Sequence, residues 1–199
     1  MSTDGVNEGR RRFLIGATSV GGAVGAVGVA VPFVQSWYPS AKAKNAGAPV
    51  TADISKLEPG QRMTVEWRGR PVWIVKRTEE AMDTLDAITE KLRDPASDES
   101  KQPEYAKNQH RSRDSHPNIL VLVGLCTHLG CSPLYRPEIG AADLGNDWMG
   151  GFFCPCHGSK FDFAGRVFQQ VPAPTNLDVP PYYYVSDTVI KIGEDGESA

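Results

Sequence analysis

The sequence predicts an all-β head of small stacked antiparallel sheets with one inserted helix-loop, carried on an N-terminal transmembrane helix. Three observations lead there. From Phe13 to Val34 no charged residue occurs, and such a run of about 22 residues spans about 33 Å as a helix, enough to cross a hydrocarbon core. From Val50 onward the apolar residues fall in short runs punctuated by Gly, Pro and Asp, the pattern of brief strands and turns. One stretch there, Met82, Leu85, Ile88 and Leu92, repeats at helical spacing. A length of 199 residues allows one domain with appendages, and a net charge of −3 provides no basic stripe to neutralise phosphates, so no nucleic-acid partner is expected.

In chain order, residues 1–12 form a cytoplasmic N-terminus. Gly9-Arg10-Arg11-Arg12-Phe13-Leu14 reads as a twin-arginine export signal with Arg10 and Arg11 as its pair, and the positive-inside rule keeps this end in the cytoplasm. Residues 13–37 form the transmembrane anchor, longer than the apolar core of a cleaved signal peptide and therefore read as retained. Removal after Ala41-Lys42-Ala43 is the alternative. Gly21-x-x-x-Gly25 offers a close-approach face to another membrane helix, and Trp37 and Tyr38 fall where interfacial aromatics lie. Residues 38–49, rich in Ala, Gly and Lys, form a flexible linker.

Residues 50–199 form the head. A strand and turn over Asp53–Gly60 precede a hairpin, Met63–Trp67 and Pro71–Lys76 around Arg68-Gly69-Arg70, with Trp67 and Trp73 as packing residues. Thr78 caps a helix with Glu79 and Glu80 in its first turn, which Asp94-Pro95 ends. Ala96 to His116 reads as a polar surface loop with His110 and His116 as solvated bystanders. Asn118–Val123 is a buried strand, Pro133–Met149 a connecting excursion, and Lys160–Phe168 a hairpin turning at Ala164-Gly165. Tyr182–Val185 and Thr188–Ile192 are the last strands.

The chemistry is concentrated in two boxes, Cys126-Thr127-His128-Leu129-Gly130-Cys131 and Cys154-Pro155-Cys156-His157-Gly158-Ser159. They hold all four cysteines and two of the four histidines. Each offers a Cys and a His at close spacing plus one further Cys, so four side chains are available as metal ligands and two as a disulfide. A structural zinc site usually takes C-x2-4-C and H-x3-5-H pairs, which these boxes match poorly. A [2Fe-2S] cluster with two His in place of two Cys on one iron needs the set that is present.

The two boxes, with their extra cysteines in order, resemble those of Rieske iron-sulfur proteins of the cytochrome bc type. The resemblance implies a Rieske-type head with a cluster-binding subdomain over about residues 124–175. It implies that Cys126 and Cys154 ligate the inner iron and His128 and His157 the outer iron of one [2Fe-2S] cluster, with Cys131 and Cys156 as a disulfide. Val171-Pro172-Ala173-Pro174 resembles the family's proline loop, in which fixed φ angles and missing donors keep a stiff, dry cover. The Thr78-to-His116 segment resembles the family's insertion. Pro172 and Leu129 are expected around the cluster, and Ser159 matches a serine that donates to a cluster sulfide. A tyrosine donor of many mitochondrial-type relatives is replaced by Phe161, and a frequent histidine by Lys160, which implies a lower potential than in tyrosine-bearing relatives.

The activity implied is that of the electron-transfer subunit of a quinol:cytochrome c oxidoreductase, an enzyme only as part of that complex. One electron would come from quinol at the Qo site, with His157, and His128 beside it, coupling the proton. It would pass to cytochrome c1. The implied partners are cytochromes b and c1 in a dimeric complex, the quinol, and membrane lipid around one helix. The implied location is the bacterial inner membrane with the head on the periplasmic side. The alternative is the Rieske subunit of another redox complex, b6f-like or menaquinol-oxidising, or an arsenite oxidase small subunit.

Overall fold

A computed structural model describes residues 5, 7–41, 43 and 47–196 of the chain. Two compact units are present, at residues 1–45 and 46–199. Among its described residues the first contains helix α1 (Glu8–Ser36), which already includes the arginines and is long and apolar enough to cross a membrane. Asn7 caps it by accepting the Arg10 backbone N–H, and Trp37 closes its C-terminus. Lys42, Lys44, Asn45 and Ala46 of the expected linker lie outside the described residues.

The second unit contains three three-stranded antiparallel sheets. In the first, β1 (Val50–Asp53) pairs with β9 (Val189–Ile192), which also pairs with β8 (Tyr182–Ser186), so the two ends of the head close on each other. The second runs β2 (Arg62–Trp67), β3 (Arg70–Lys76), β4 (Ile119–Val123). Arg68 and Gly69 turn the β2–β3 hairpin at φ 53° and 69°, the left-handed pair that matches strand twist. Every residue of β4 is buried, as its unbroken Ile-Leu-Val-Leu-Val run demands. The third runs β5 (Leu134–Arg136), β6 (Gly151–Cys154), β7 (Ser159–Phe161). Trp73 of β3 stacks on Phe152 of β6 at 5.3 Å, so one aromatic pair locks the second sheet to the third.

Three expectations are corrected. The capped helix α2 (Glu79–Ala87) has its Thr78 cap but stops before Asp94-Pro95. Ile88 leaves helical geometry and Thr89 bonds back to the Leu85 and Asp86 carbonyls. The apolar series then continues through a 3-10 turn at Thr89–Lys91 to an extended Leu92. The Pro133–Met149 excursion begins with β5, a strand too short to show alternation.

Ala96 to His116 is a surface loop only in part: Asp98, Glu99, Lys101, Asp114 and Ser115 are exposed, but Ser97, Ala106, Arg111 and Ser112 are buried. Its polar residues satisfy buried backbone groups, which composition alone does not reveal. His110 and His116 are accordingly half-buried rather than solvated, and His116 stacks on Tyr184 at 4.0 Å.

Candidate metal centre

The boxes occupy the loop after β4 and the β6–β7 connection. Both fold as the same turn. The Gly130 N–H bonds the Cys126 carbonyl at 2.9 Å, and the Gly158 N–H bonds the Cys154 carbonyl at 2.9 Å. In each the glycine closes the turn at positive φ, 79° and 78°, where a side chain is strained. The different Cys–His spacings, C-x-H and C-x-x-H, thus sit within turns of equal length. The Cys126 N–H also bonds the Cys131 carbonyl at 2.7 Å, which closes the first box on itself.

The four side chains assigned as ligands are sorted by depth. Cys126 and Cys154 are buried and free, at 3% and 2% exposure, while His128 is half-buried and His157 exposed. The two imidazoles meet edge to face with centroids 4.9 Å apart. Burial pushes the Cys126 thiol above its ordinary range. The adjacent Cys154 thiol acts in the same direction, and the His128 backbone N–H and the Ser159 hydroxyl oppose it. Two buried thiols in contact gain little from that environment unless a metal holds them as thiolates. The donor set therefore fits a cluster with its thiolate side inward and its imidazole side at the surface.

Cys131 and Cys156 are joined in a disulfide with Cα atoms 6.7 Å apart. The Sγ atoms of Cys131, Cys154 and Cys156 lie within 4.8 Å of one another, but two of the three are in that bond and cannot act as thiolate ligands. The disulfide instead cross-links the two loops beside Cys154.

The proline loop is tied to both boxes, a feature the sequence did not reveal because backbone acceptors leave no pattern. The Thr127 hydroxyl donates to the Thr175 carbonyl at 2.7 Å, and the Ala173 N–H donates to Ser159 Oγ at 3.1 Å. Ser159 is buried and so links that loop to Cys126. Pro172 is exposed beside it, Leu129 projects at 71% exposure from the first turn, and Phe161 is fully buried in the main core. Lys160 donates to the Leu144 carbonyl at 2.7 Å and holds the 137–149 segment against β7. Arg10 and Arg11 lie in the first turn of α1.

A second group missed from sequence is the buried set Arg77, Arg111, Asp162 and Arg166 at the turn after β7. Arg166 pairs with Asp162 at 2.7 Å across a turn. A charged residue in a polar stretch gives no periodic signal of burial; only the Asp-x-x-x-Arg spacing hinted at the pair.

A family model described as the Rieske [2Fe-2S] domain matches residues 105–182, and one described as the ubiquitinol-cytochrome C reductase Fe-S subunit TAT signal matches residues 1–40. A ubiquinol-cytochrome c reductase iron-sulfur subunit from Allochromatium vinosum is 60% identical over 199 residues, covering 100% of this chain and 95% of that protein. The subunit of the same description from Bradyrhizobium diazoefficiens is 44% identical over 92% of this chain and 94% of its own length. A chain of a hyperthermophilic respiratory Complex III is 26% identical with a TM-score of 0.48, over 88% of this chain and 97% of that one.

Proposed function

Since the chain belongs to the family of ubiquinol-cytochrome c reductase iron-sulfur subunits, we propose that it is the electron-transfer subunit of a membrane quinol:cytochrome c oxidoreductase, working with cytochromes b and c1. The observation that carries this reading is the sorting of two buried thiols and two outward imidazoles on twin turns braced by one disulfide. Cys126 and Cys154 are the thiolate ligands and His128 and His157 the imidazole ligands.

When bound, the [2Fe-2S] cluster supplies a one-electron acceptor whose mixed ligation places it at about −150 to +300 mV, against about −400 mV for all-cysteine plant-type ferredoxins. The protein's own groups do the rest. His157, exposed, would hold the cluster through one ring nitrogen and would accept at the other a hydrogen bond, and then the proton, from the quinol hydroxyl. His128, half-buried beside it, orients and shields the contact. Ser159 and the His128 N–H donate toward Cys126 and favour the added negative charge. Leu129 and Pro172, both exposed near the boxes, form an apolar collar that excludes water from the docking site.

Arg10 and Arg11 direct export of the folded head, α1 remains as anchor with its N-terminus in the cytoplasm, and residues 38–49 allow the periplasmic head to travel between quinol site and cytochrome c1. The family membership and twin-arginine match support this arrangement. Affinity purification of the full chain from membranes tests it: cytochromes b and c1 are expected to copurify with inhibitor-sensitive quinol oxidation, and a molybdenum subunit in their place would overturn it.

A further inference from the structure

The turn that follows the second box along the chain gathers an unusual concentration of buried charge. Arg77, Arg111 and Arg166 are exposed by 2%, 0% and 1%, and all reach the turn that follows β7. Arg77 Nη1 donates to the Phe163 carbonyl at 3.2 Å, and Arg111 Nη1 donates to the Ala164 and Gly165 carbonyls at 3.3 and 3.4 Å. Asp162 Oδ1 accepts the Ala164 and Arg166 N–H groups, while Oδ2 pairs with Arg166 Nε. The inserted segment supplies most of the remaining contacts. Arg111 comes from it, Arg166 Nη2 donates to its Leu85 carbonyl, and Arg77 donates to its His110 carbonyl and Ser112 hydroxyl.

Among the described residues, Arg166 alone of the three has a carboxylate in hydrogen-bond contact. Arg77 and Arg111 are held by carbonyl, hydroxyl and amide oxygens, Arg111 Nη2 through Gln102 Oε1 at 3.0 Å. Desolvation pulls both guanidinium groups down to about 10, so each keeps its proton at neutral pH. Asp162 acts on both of them without touching either, and Asp94 and Asp178 also act on Arg111, so Arg77 is the least compensated of the three cations. Burying unpaired charge is costly, and a neutral donor could make the same carbonyl contacts at lower cost.

We infer that the inserted segment holds Arg111, with Arg77, as a buried positive charge that raises the reduction potential of the centre carried by the second box, making both positioning residues for electron transfer rather than fold residues alone. The inference rests on the reading above that Cys154 and His157 are ligands. Ala164 follows Ser159 by five residues, and a strand rises about 3.3 Å per residue, so Ala164 lies within about 17 Å of Ser159. With the guanidinium one hydrogen bond beyond that carbonyl, a unit charge about 20 Å away, at an effective dielectric constant of about 20, changes a one-electron equilibrium about fourfold, or about 35 mV at 59 mV per tenfold.

Potentiometric EPR titration of the membrane-bound complex tests this with Arg111→Gln and Arg111→Lys, and with Arg77→Gln in parallel. Both Gln variants are expected to show the wild-type line shape with the ratio of reduced to oxidised centre at fixed potential lowered about fourfold, while Arg111→Lys titrates like wild type. A Gln variant that titrates like wild type overturns the inference, as does a Lys variant lowered equally. Failure of both Gln variants to accumulate a centre would assign the arginines to folding and also overturn it. Absence of a mixed-ligand signal in the wild type would instead refute the underlying ligand assignment.

Discussion

Removing the Ser159 hydroxyl separates two effects that the structure joins in one atom. Ser159 Oγ accepts the Ala173 N–H at 3.1 Å and donates toward Cys126 Sγ. In Ser159→Ala the buried Ala173 N–H loses its acceptor, a cost of about 1–3 kcal/mol, which for a domain of this size lowers Tm by about 2–12 °C. The lost donor acts on potential. A hydroxyl donating to a thiolate stabilises the more negative, reduced centre more than the oxidised one. A differential of about 1–2 kcal/mol corresponds to about 40–90 mV at 59 mV per 1.4 kcal/mol for one electron. Redox titration of membranes carrying Ser159→Ala should therefore give a midpoint lower by that amount, and Ser159→Thr, which keeps the hydroxyl, should recover most of it. A Ser159→Ala midpoint equal to wild type, with the Tm loss present, would show that the hydroxyl serves only the proline loop and would refute the reasoning.

Phe161→Tyr should raise the midpoint by tens of millivolts, because a phenol hydroxyl beside a ligand sulfur restores a donor that this chain lacks; an unchanged or lower value in voltammetry counts against the placement. Gly124→Ala places a Cβ 2.3 Å from the Trp73 ring, which is itself stacked on Phe152, so it should cost about 1–3 kcal/mol in thermal unfolding, and a loss below about 0.5 kcal/mol would show that the two sheets are not locked there. His110 titrates below its ordinary value of 6.5, first because burial disfavours its charge and then because Arg77 and Arg166 repel it. The unfolded chain therefore takes up the proton first as pH falls, so stability present above about 6.5 declines through and below that value. Calorimetry between pH 7 and pH 5 should show a smaller Tm loss for His110→Gln than for wild type, and an equal loss removes His110 as the cause.

Much of the head was legible because its strands are punctuated by residues with strong local rules. Arg68-Gly69 turns a hairpin and Thr78 caps a helix, since each acts on its own backbone neighbours. The burial of Arg77 and Arg111 was not legible. Their partners, the Phe163 to Gly165 carbonyls, lie on a distant part of the chain and belong to the backbone, which carries no residue identity. The same holds for Thr127 and the Thr175 carbonyl. At the centre, residue types and order pointed to the donor set, whereas the depth of each donor follows from packing: Cys154 ends the largely buried β6, and Cys126 is buried three residues beyond the fully buried β4.

The assignment of Cys126, His128, Cys154 and His157 to one [2Fe-2S] centre is tested most directly by low-temperature EPR of membranes reduced by ascorbate, with and without a quinol-site inhibitor. The expected result is a rhombic mixed-ligand [2Fe-2S] signal whose shape changes when the inhibitor alters the contact at His157. A signal of all-cysteine type, or none in membranes that contain the full-length chain, would contradict it.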